Sequence, residues 1–373
     1  MINRKRAITL LSDLIKINSE NPNGNEYKIA VFVKRYLEKI GLRPKIYEFC
    51  ALRSNVVCVL PGENKRSLLI TPHLDTVPAG DKWRFPPFKA TISGGKLYGL
   101  GATDCKVNLA AGLEAINSIV EDGVSLGYGL IFAATADEES GSVLGLEPLL
   151  EKKILKPDAA LVLDADDFSI VVAQKGLMHL KVKIEGKRAH GAYPWLGVNA
   201  VDTAIKIIEK IKSYKFGRTK NDFLKPPTVN IGTIHGGDKV NVVADWCEFE
   251  LDIRFLPGDS SQKILRDFKK IIRSYAGKST LEIEGIQEPF SIPRGHFLVG
   301  QLINAMESIS IKPVIEGSEG ATTISFFQKK NIPSAATGFG TGGCAHIADE
   351  YVKIDNIYKG AKALELFLKE FKF

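Results

Sequence analysis

The chain has 373 residues, 45% hydrophobic and 25% charged, with 50 Lys and Arg against 43 Asp and Glu for a formal charge of +7. That length exceeds what one hydrophobic core supports, which predicts two domains, and the balance of apolar and charged residues excludes an extended disordered chain. No apolar run reaches the ~18 residues of a membrane span. Asp13 and Lys16 interrupt the N-terminal apolar positions, so no signal-peptide core is read there, and a cytoplasmic protein without a membrane partner is expected. The five cysteines, Cys50, Cys58, Cys105, Cys247 and Cys344, form no C-x-x-C pair and are odd in number. Reduced thiols are expected, with neither a disulfide framework nor a cysteine-built zinc site.

In chain order, YKIAVFVKRYLEKIG repeats apolar residues at helical spacing and stops at Gly41, which predicts a helix. NVVCVL and SLLIT follow as short apolar strands, the second running into PHLDTVPAG, which carries His73 and Asp75. CKVNLAAGLEAINSIVEDG predicts another helix, and GLIFAATADEES and DAALVLDAD are apolar strands that end in acids. Helices alternating with near-continuous apolar strands predict an α/β domain with a mixed, mostly parallel sheet and helices on both faces. In such sheets functional groups collect at the carboxyl ends of the strands.

From Met178 the pattern changes. MHLKVKIEG, TVNIGTIHGG, WCEFELDIRF and STLEIEG read as strands, with helices VNAVDTAIKIIEKIKSY and SSQKILRDFKKIIRSYAG between them. The order β-α-β-β-α-β predicts a ferredoxin-like α+β domain over residues 178–288, inserted into a catalytic domain of 1–177 and 289–373. The densest basic run, Lys206 to Lys220, sets its charges between apolar residues at helical spacing and reads as a solvated helix face. Without an aromatic stacking platform beside it, no nucleic-acid partner is predicted. IYKGAKALELFLKEF closes the chain as an amphipathic helix.

Metal-binding residue types recur where strands end or loops follow: His73 and Asp75, Asp104 in GATD, Glu138 and Glu139 in DEES, Asp164 in LVLDADD, and His346 in a Gly-rich loop. Imidazole nitrogen with carboxylate oxygen suits zinc, and also cobalt or manganese. Each has an ordinary alternative when taken singly. Asp104 could cap the following helix, Glu138 and Glu139 could be a solvated pair, Asp164 could close a turn, and His346 could be a loop histidine. Taken jointly, His and carboxylates at the strand ends of one parallel sheet converge on one place.

The order and wording of HLDTVPAG, FPPFKATISGGKLYGLGATDCK, ATADEESG, KRAHGAYPWLGVNA, VNVVADWCEFELDIR and FGTGGCAHIADE resemble the zinc amidohydrolase and exopeptidase family of acetylornithine deacetylase, succinyl-diaminopimelate desuccinylase, aminoacylase and carboxypeptidase G. The resemblance spans nearly the whole chain. It implies a dizinc hydrolase that cleaves the amide bond of an N-acyl amino acid through a hydroxide held between the metals. A carboxypeptidase or dipeptidase acting on short peptides is the alternative, and a catalytically silent binding protein on the same scaffold is a remote one. By the resemblance, His73 and Asp164 would hold one zinc, Glu139 and His346 the other, and Asp104 would bridge them. Asp75 would orient the His73 ring. Glu138 would be the general base. His190, in the inserted domain, would reach the other subunit's active site in a homodimer formed through that domain. Asn241 and Arg254 would contact substrate, and Gly320 and Gly342 would border its pocket. Three positions depart from the pattern: Thr323 and Ser325 in GATTISFF replace an Asp-Ala-Arg, Leu100 replaces a usual Arg, and Asp164 stands where some deacylases carry Glu. The missing guanidinium bears on substrate class rather than on hydrolysis.

Overall fold

The computed structural model describes every residue except Asn23 and Thr219. The chain divides into two compact units, one of residues 1–172, 292–316 and 322–373, the other of 173–291 and 317–321.

The first unit is built on a sheet whose strands run, from one edge, Lys45–Glu48, Ser54–Leu60, Gly129–Ala134, Ser67–Thr71, Ala159–Leu163, Ser334–Thr337 and Ile170–Gln174. The inner pairings, from Gly129–Ala134 through Ser67–Thr71 and Ala159–Leu163 to Ser334–Thr337, are parallel, and antiparallel pairings flank them. Every residue of Ala159–Leu163, and all but the first of Ser67–Thr71 and Gly129–Ala134, is buried. A strand enclosed on both faces has no polar alternate positions, which is why these segments read as continuous apolar runs.

The helix Lys106–Glu121 packs against Ile354–Glu370 and Arg4–Ile15. The last is a helix that the sequence expectations do not include. Ala7, Leu10, Leu11, Leu14 and Ile15 share its buried face, and the Asn3 side chain accepts from the Arg6 N–H at its start. Asp13 and Lys16, which break the apolar run in sequence, pair with each other on the exposed side at 2.9 Å.

In the second unit, Gly176–Glu185, Thr228–Gly236, Trp246–Phe255 and Lys278–Gln287 form an antiparallel sheet in the order 228–236, 246–255, 176–185, 278–287. The helices Ala200–Lys212 and Ser261–Tyr275 complete the ferredoxin-like arrangement. Met178, Leu180, Val182 and Ile184 alternate inward beside Phe249, Leu251, Ile253 and Phe255, and meet Ala204, Ile207, Ile211, Ile264, Phe268 and Ile272 from the helices. One buried face fixes the register, because a one-residue slip would turn every one of these side chains outward. Asn199 and Ser260 cap the two helices, accepting from Val201 and Asp202 and from Lys263. Lys206, Lys210 and Lys212 lie exposed on the outer side of the first helix. Thr219, within the same basic run, lies outside the described residues. Among the described residues no helix is long and apolar enough to cross a membrane, and the five cysteines are free.

Candidate metal centre

His73 and Asp164 stand just beyond the parallel strands Ser67–Thr71 and Ala159–Leu163, and Glu138 and Glu139 occupy a single turn after Gly129–Ala134. Asp104 and His346 come from loops of the same unit. All six side chains converge. His73 Nε2 lies 2.9 Å from Asp104 Oδ1 and 3.9 Å from Asp164 Oδ1, while His346 Nε2 lies 3.2 Å from Asp104 Oδ2 and 3.3 Å from Glu139 Oε1. Asp104 thus stands between the two imidazoles with one oxygen toward each. It does not cap the next helix: the residue at that cap is Cys105, which makes no side-chain capping bond.

The neighbouring glutamates part company. Glu138 groups with His73 and Asp164, and Glu139 groups with Asp104 and His346. Their turn is held from below by Asp75, fully buried, whose carboxylate accepts from the N–H groups of Glu138 and Glu139 at 3.1 Å each and from Asn21 Nδ2 at 2.9 Å. The expected tie between Asp75 and the His73 ring takes a different form. The nearer acceptor for His73 Nδ1 is the Asp75 main-chain oxygen at 2.9 Å, with Oδ1 at 3.6 Å, because the carboxylate is turned toward the glutamate turn.

That contact tests the fit to a metal. A carbonyl only accepts, so Nδ1 carries the hydrogen of a neutral His73, and the Nε2 lone pair then faces Asp104 and Asp164, which also only accept. Acceptors facing acceptors call for a positive charge between them, which a proton on Nε2 or a bound metal ion supplies. With no metal bound, the acids around the two rings favour a proton in that place. Burial opposes charge on His73, but Cys105, Asp104 and Asp75 outweigh it and hold the imidazole well above its ordinary range. Asp104 and Glu139 push His346 up to about 10. Burial and the Asp104 charge push Asp164 up to about 7, and burial and the Asp164 charge raise Glu138. A crowd of half-buried carboxylates with two imidazoles is a donor set that suits divalent zinc-class ions.

The Gly342 N–H donates to Asp167 Oδ2 at 2.9 Å. Thr323 and Ser325 are buried, and Ser325 Oγ donates to the Thr322 carbonyl at 3.4 Å, so neither supplies the missing cation. Leu100 is buried as well. The remaining candidates belong to the second unit. His190 and Asn241 are exposed, joined through the Gly191 N–H to the Asn241 carbonyl at 2.8 Å. Arg254 directs its guanidinium to Asp252 of its own strand, at 2.7 and 3.0 Å. Gly320 accepts through its carbonyl from Ser318 Oγ at 3.3 Å.

Sequence reasoning missed the supports. Asp137, with φ +66°, precedes the glutamate turn, and half-buried Arg53 and buried Glu26 hold it. Glu350, which burial pushes up to about 7, accepts from three N–H groups of the Asp104 loop. An acid shortly after the candidate ligand His346, inside a loop with no helix or strand of its own, is the available signal for Glu350.

Fold and site together define a metal-dependent amide hydrolase. The chain belongs to peptidase family M20/M25/M40, whose profile matches residues 69–370. An uncharacterized metallohydrolase of Methanocaldococcus jannaschii is 28% identical, over 98% of this chain and 99% of that protein. A probable succinyl-diaminopimelate desuccinylase of Staphylococcus aureus is 30% identical over 95% of each chain. The crystal structure of a tripeptidase from Staphylococcus aureus superimposes with a TM-score of 0.83 at 27% identity, over 99% of this chain and 98% of that one.

Proposed function

We propose that the protein hydrolyses the amide bond of N-acyl amino acids with two zinc-class ions. His73 and Asp164 would hold one ion, Glu139 and His346 the other, and Asp104 would bridge them. The observation that carries this reading is the Asp104 carboxylate set between two imidazoles, at 2.9 and 3.2 Å. Bound there, the ions supply Lewis acidity, which lowers the pKa of a water to roughly 7 and polarises the scissile carbonyl. Glu138, on the turn fixed by Asp75, takes the proton of the attacking water and returns it to the leaving nitrogen, since an amide nitrogen leaves poorly until protonated. Asp75 keeps His73 in one orientation and the glutamate turn in one place, so neither has to be ordered when substrate arrives.

The deacylase reading is supported by the desuccinylase relative at 30% identity over nearly the full length of both chains. A second reading, a peptidase acting on short peptides, is supported by the tripeptidase at 27% identity. The test is a hydrolysis screen in added metal over N-acetyl, N-succinyl and N-formyl amino acids and di- and tripeptides. Turnover of acyl amino acids at least tenfold above peptides supports the first reading, and the reverse ratio overturns it in favour of the second.

The same proposal includes a homodimer joined through the second unit, with His190 serving the other subunit. His190 Nδ1 accepts from the Ala192 N–H at 3.0 Å, which leaves the ring hydrogen on Nε2, able to donate to a developing oxyanion. Tyr193, Trp195, Leu196 and Val198 are exposed beside it, and the edge strand Thr228–Gly236 is largely exposed, as expected of surfaces that another chain covers.

A further inference from the structure

We propose that Glu350 is a positioning residue of the metal centre, whose carboxylate locks the loop carrying Asp104 to the loop carrying His346. The inference rests on the two-metal reading above. Glu350 is 1% exposed. Its Oε1 accepts from the N–H groups of Thr103 at 2.7 Å and Asp104 at 2.9 Å, and its Oε2 accepts from Gly101 at 2.9 Å. Its main-chain oxygen accepts from the Gly99 N–H at 2.9 Å. Residues 99–104 thus give four of their N–H groups to this single residue.

The tie is reinforced on either side. Thr103 Oγ1 donates to the Tyr351 carbonyl at 2.8 Å and accepts from the Thr341 N–H at 3.1 Å. Beyond these, Lys96–Tyr98 pairs with Tyr351–Lys353 as an antiparallel ladder. His346 therefore lies on a loop anchored at Thr341 and at Glu350 to the segment that ends in Asp104.

Residues 99–104 form neither helix nor strand, so their N–H groups have no regular ladder to satisfy them. A carboxylate offers about four lone-pair sites on two oxygens and can take three N–H donors at once. A glutamine has one acceptor oxygen and would turn an NH2 group toward donors. Metal–ligand distances are held to about 0.2 Å, so a loop free to drift by even a fraction of an ångström no longer presents Asp104 to both ions. Groups that orient ligands without touching the metal typically change affinity by about 10-fold to 100-fold when altered.

The test measures metal binding, not turnover. Chelator-stripped wild type, Glu350→Gln and Glu114→Gln are titrated with zinc by calorimetry and with cobalt by visible absorption. Glu114 is the control, a fully buried carboxylate of the same unit that accepts from Asn3 N at 2.7 Å and from Arg6, away from all the ligands. Glu350→Gln is expected to weaken zinc binding at least tenfold and to alter the cobalt band. Glu114→Gln is expected to lower the melting temperature while leaving both metal readouts as in wild type. Glu350→Asp, which keeps the charge, should recover part of the affinity, as loss of bulk stability alone would not. Wild-type zinc affinity and cobalt spectrum in folded Glu350→Gln overturn the assignment while leaving the two-metal reading in place. Should the Gln variant not fold, undiminished affinity in Glu350→Asp overturns it equally. No metal uptake by wild type removes the two-metal reading, and this assignment with it.

Discussion

Arg53 Nη2 donates to Asp137 Oδ1 at 2.6 Å, and the same nitrogen lies 2.9 Å from Glu26 Oε1, with both carboxylates almost wholly buried. One guanidinium thus balances two acids beneath the turn that carries Glu138 and Glu139. Removing it leaves two buried charges facing each other, whereas Arg84, 80% exposed in its pair with Asp349, has water as a substitute partner. Arg53→Met is therefore expected to cost about 3–5 kcal/mol in urea unfolding. Arg84→Ala is expected to leave the unfolding midpoint nearly unchanged. Equal effects of the two substitutions would contradict this account of the buried triad.

Glu138→Gln keeps shape and hydrogen bonding but cannot carry a proton. Turnover on a verified substrate should fall about 100-fold to 10,000-fold while metal content stays at the wild-type value. His346→Ala should do the opposite to the metal, lowering its content without disturbing the second unit. Elemental analysis beside kinetics separates the two, and near-normal turnover in Glu138→Gln would reassign the base.

His296 gives a pH dependence free of the metal centre. Its Nδ1 accepts from the Leu298 N–H at 3.3 Å as the cap of the helix Phe297–Glu307, and a protonated ring cannot accept. Burial lowers its pKa below the ordinary 6.5. The folded chain then binds this proton less readily than the unfolded one. The resulting penalty is absent above that ordinary value and grows as pH falls through it toward the lower folded pKa. His296→Asn keeps a capping oxygen that does not titrate, and such caps are worth about 1 kcal/mol. Between pH 7 and 5 its stability should therefore rise relative to wild type, as measured by denaturant midpoints. A difference that stays flat with pH would remove His296 as the cause.

Complementation tests the proposed dimer. A His190→Ala chain and a Glu138→Gln chain are mixed, exchange is verified by mass, and activity is followed. If His190 serves the neighbouring subunit, the mixed dimer holds one site with both defects and one with neither, and activity returns. If it serves its own chain, every site keeps a defect and none returns.

The parallel core of the first unit could be read from sequence because strands buried on both faces leave unbroken apolar runs, as in Leu68–Ile70 and Ala159–Leu163. The alternating strands of the second unit could be read for the opposite reason, since each shows one face to water. The helix Arg4–Ile15 is harder to read because polar residues such as Asp13 and Lys16 break the apolar run along the sequence while falling on the outer side. In the candidate site, His73, Glu139 and Asp164 are legible by residue type after strands, and Asp104 and His346 by residue type in loops. Arg53, Glu26, Asn21 and Glu350 are not, because what each does is set by partners far along the chain. No local spacing encodes that Gly101 and Glu350 meet.

The strand Ser334–Thr337 sits between Ala159–Leu163 and Ile170–Gln174, in the interior of the first unit's sheet. During synthesis those neighbours leave the ribosome long before the segment that separates them. Until it arrives they face a vacant slot with two unsatisfied backbone edges, which can close on each other or on another chain. Residues 173–291, most of the second compact unit, have meanwhile all emerged. Stalled translation or a premature stop ahead of Ser334 therefore leaves a half-built α/β layer tethered to a ferredoxin-like unit whose four sheet strands are all present. Such a product is expected to aggregate through its incomplete sheet while its inserted unit stays intact.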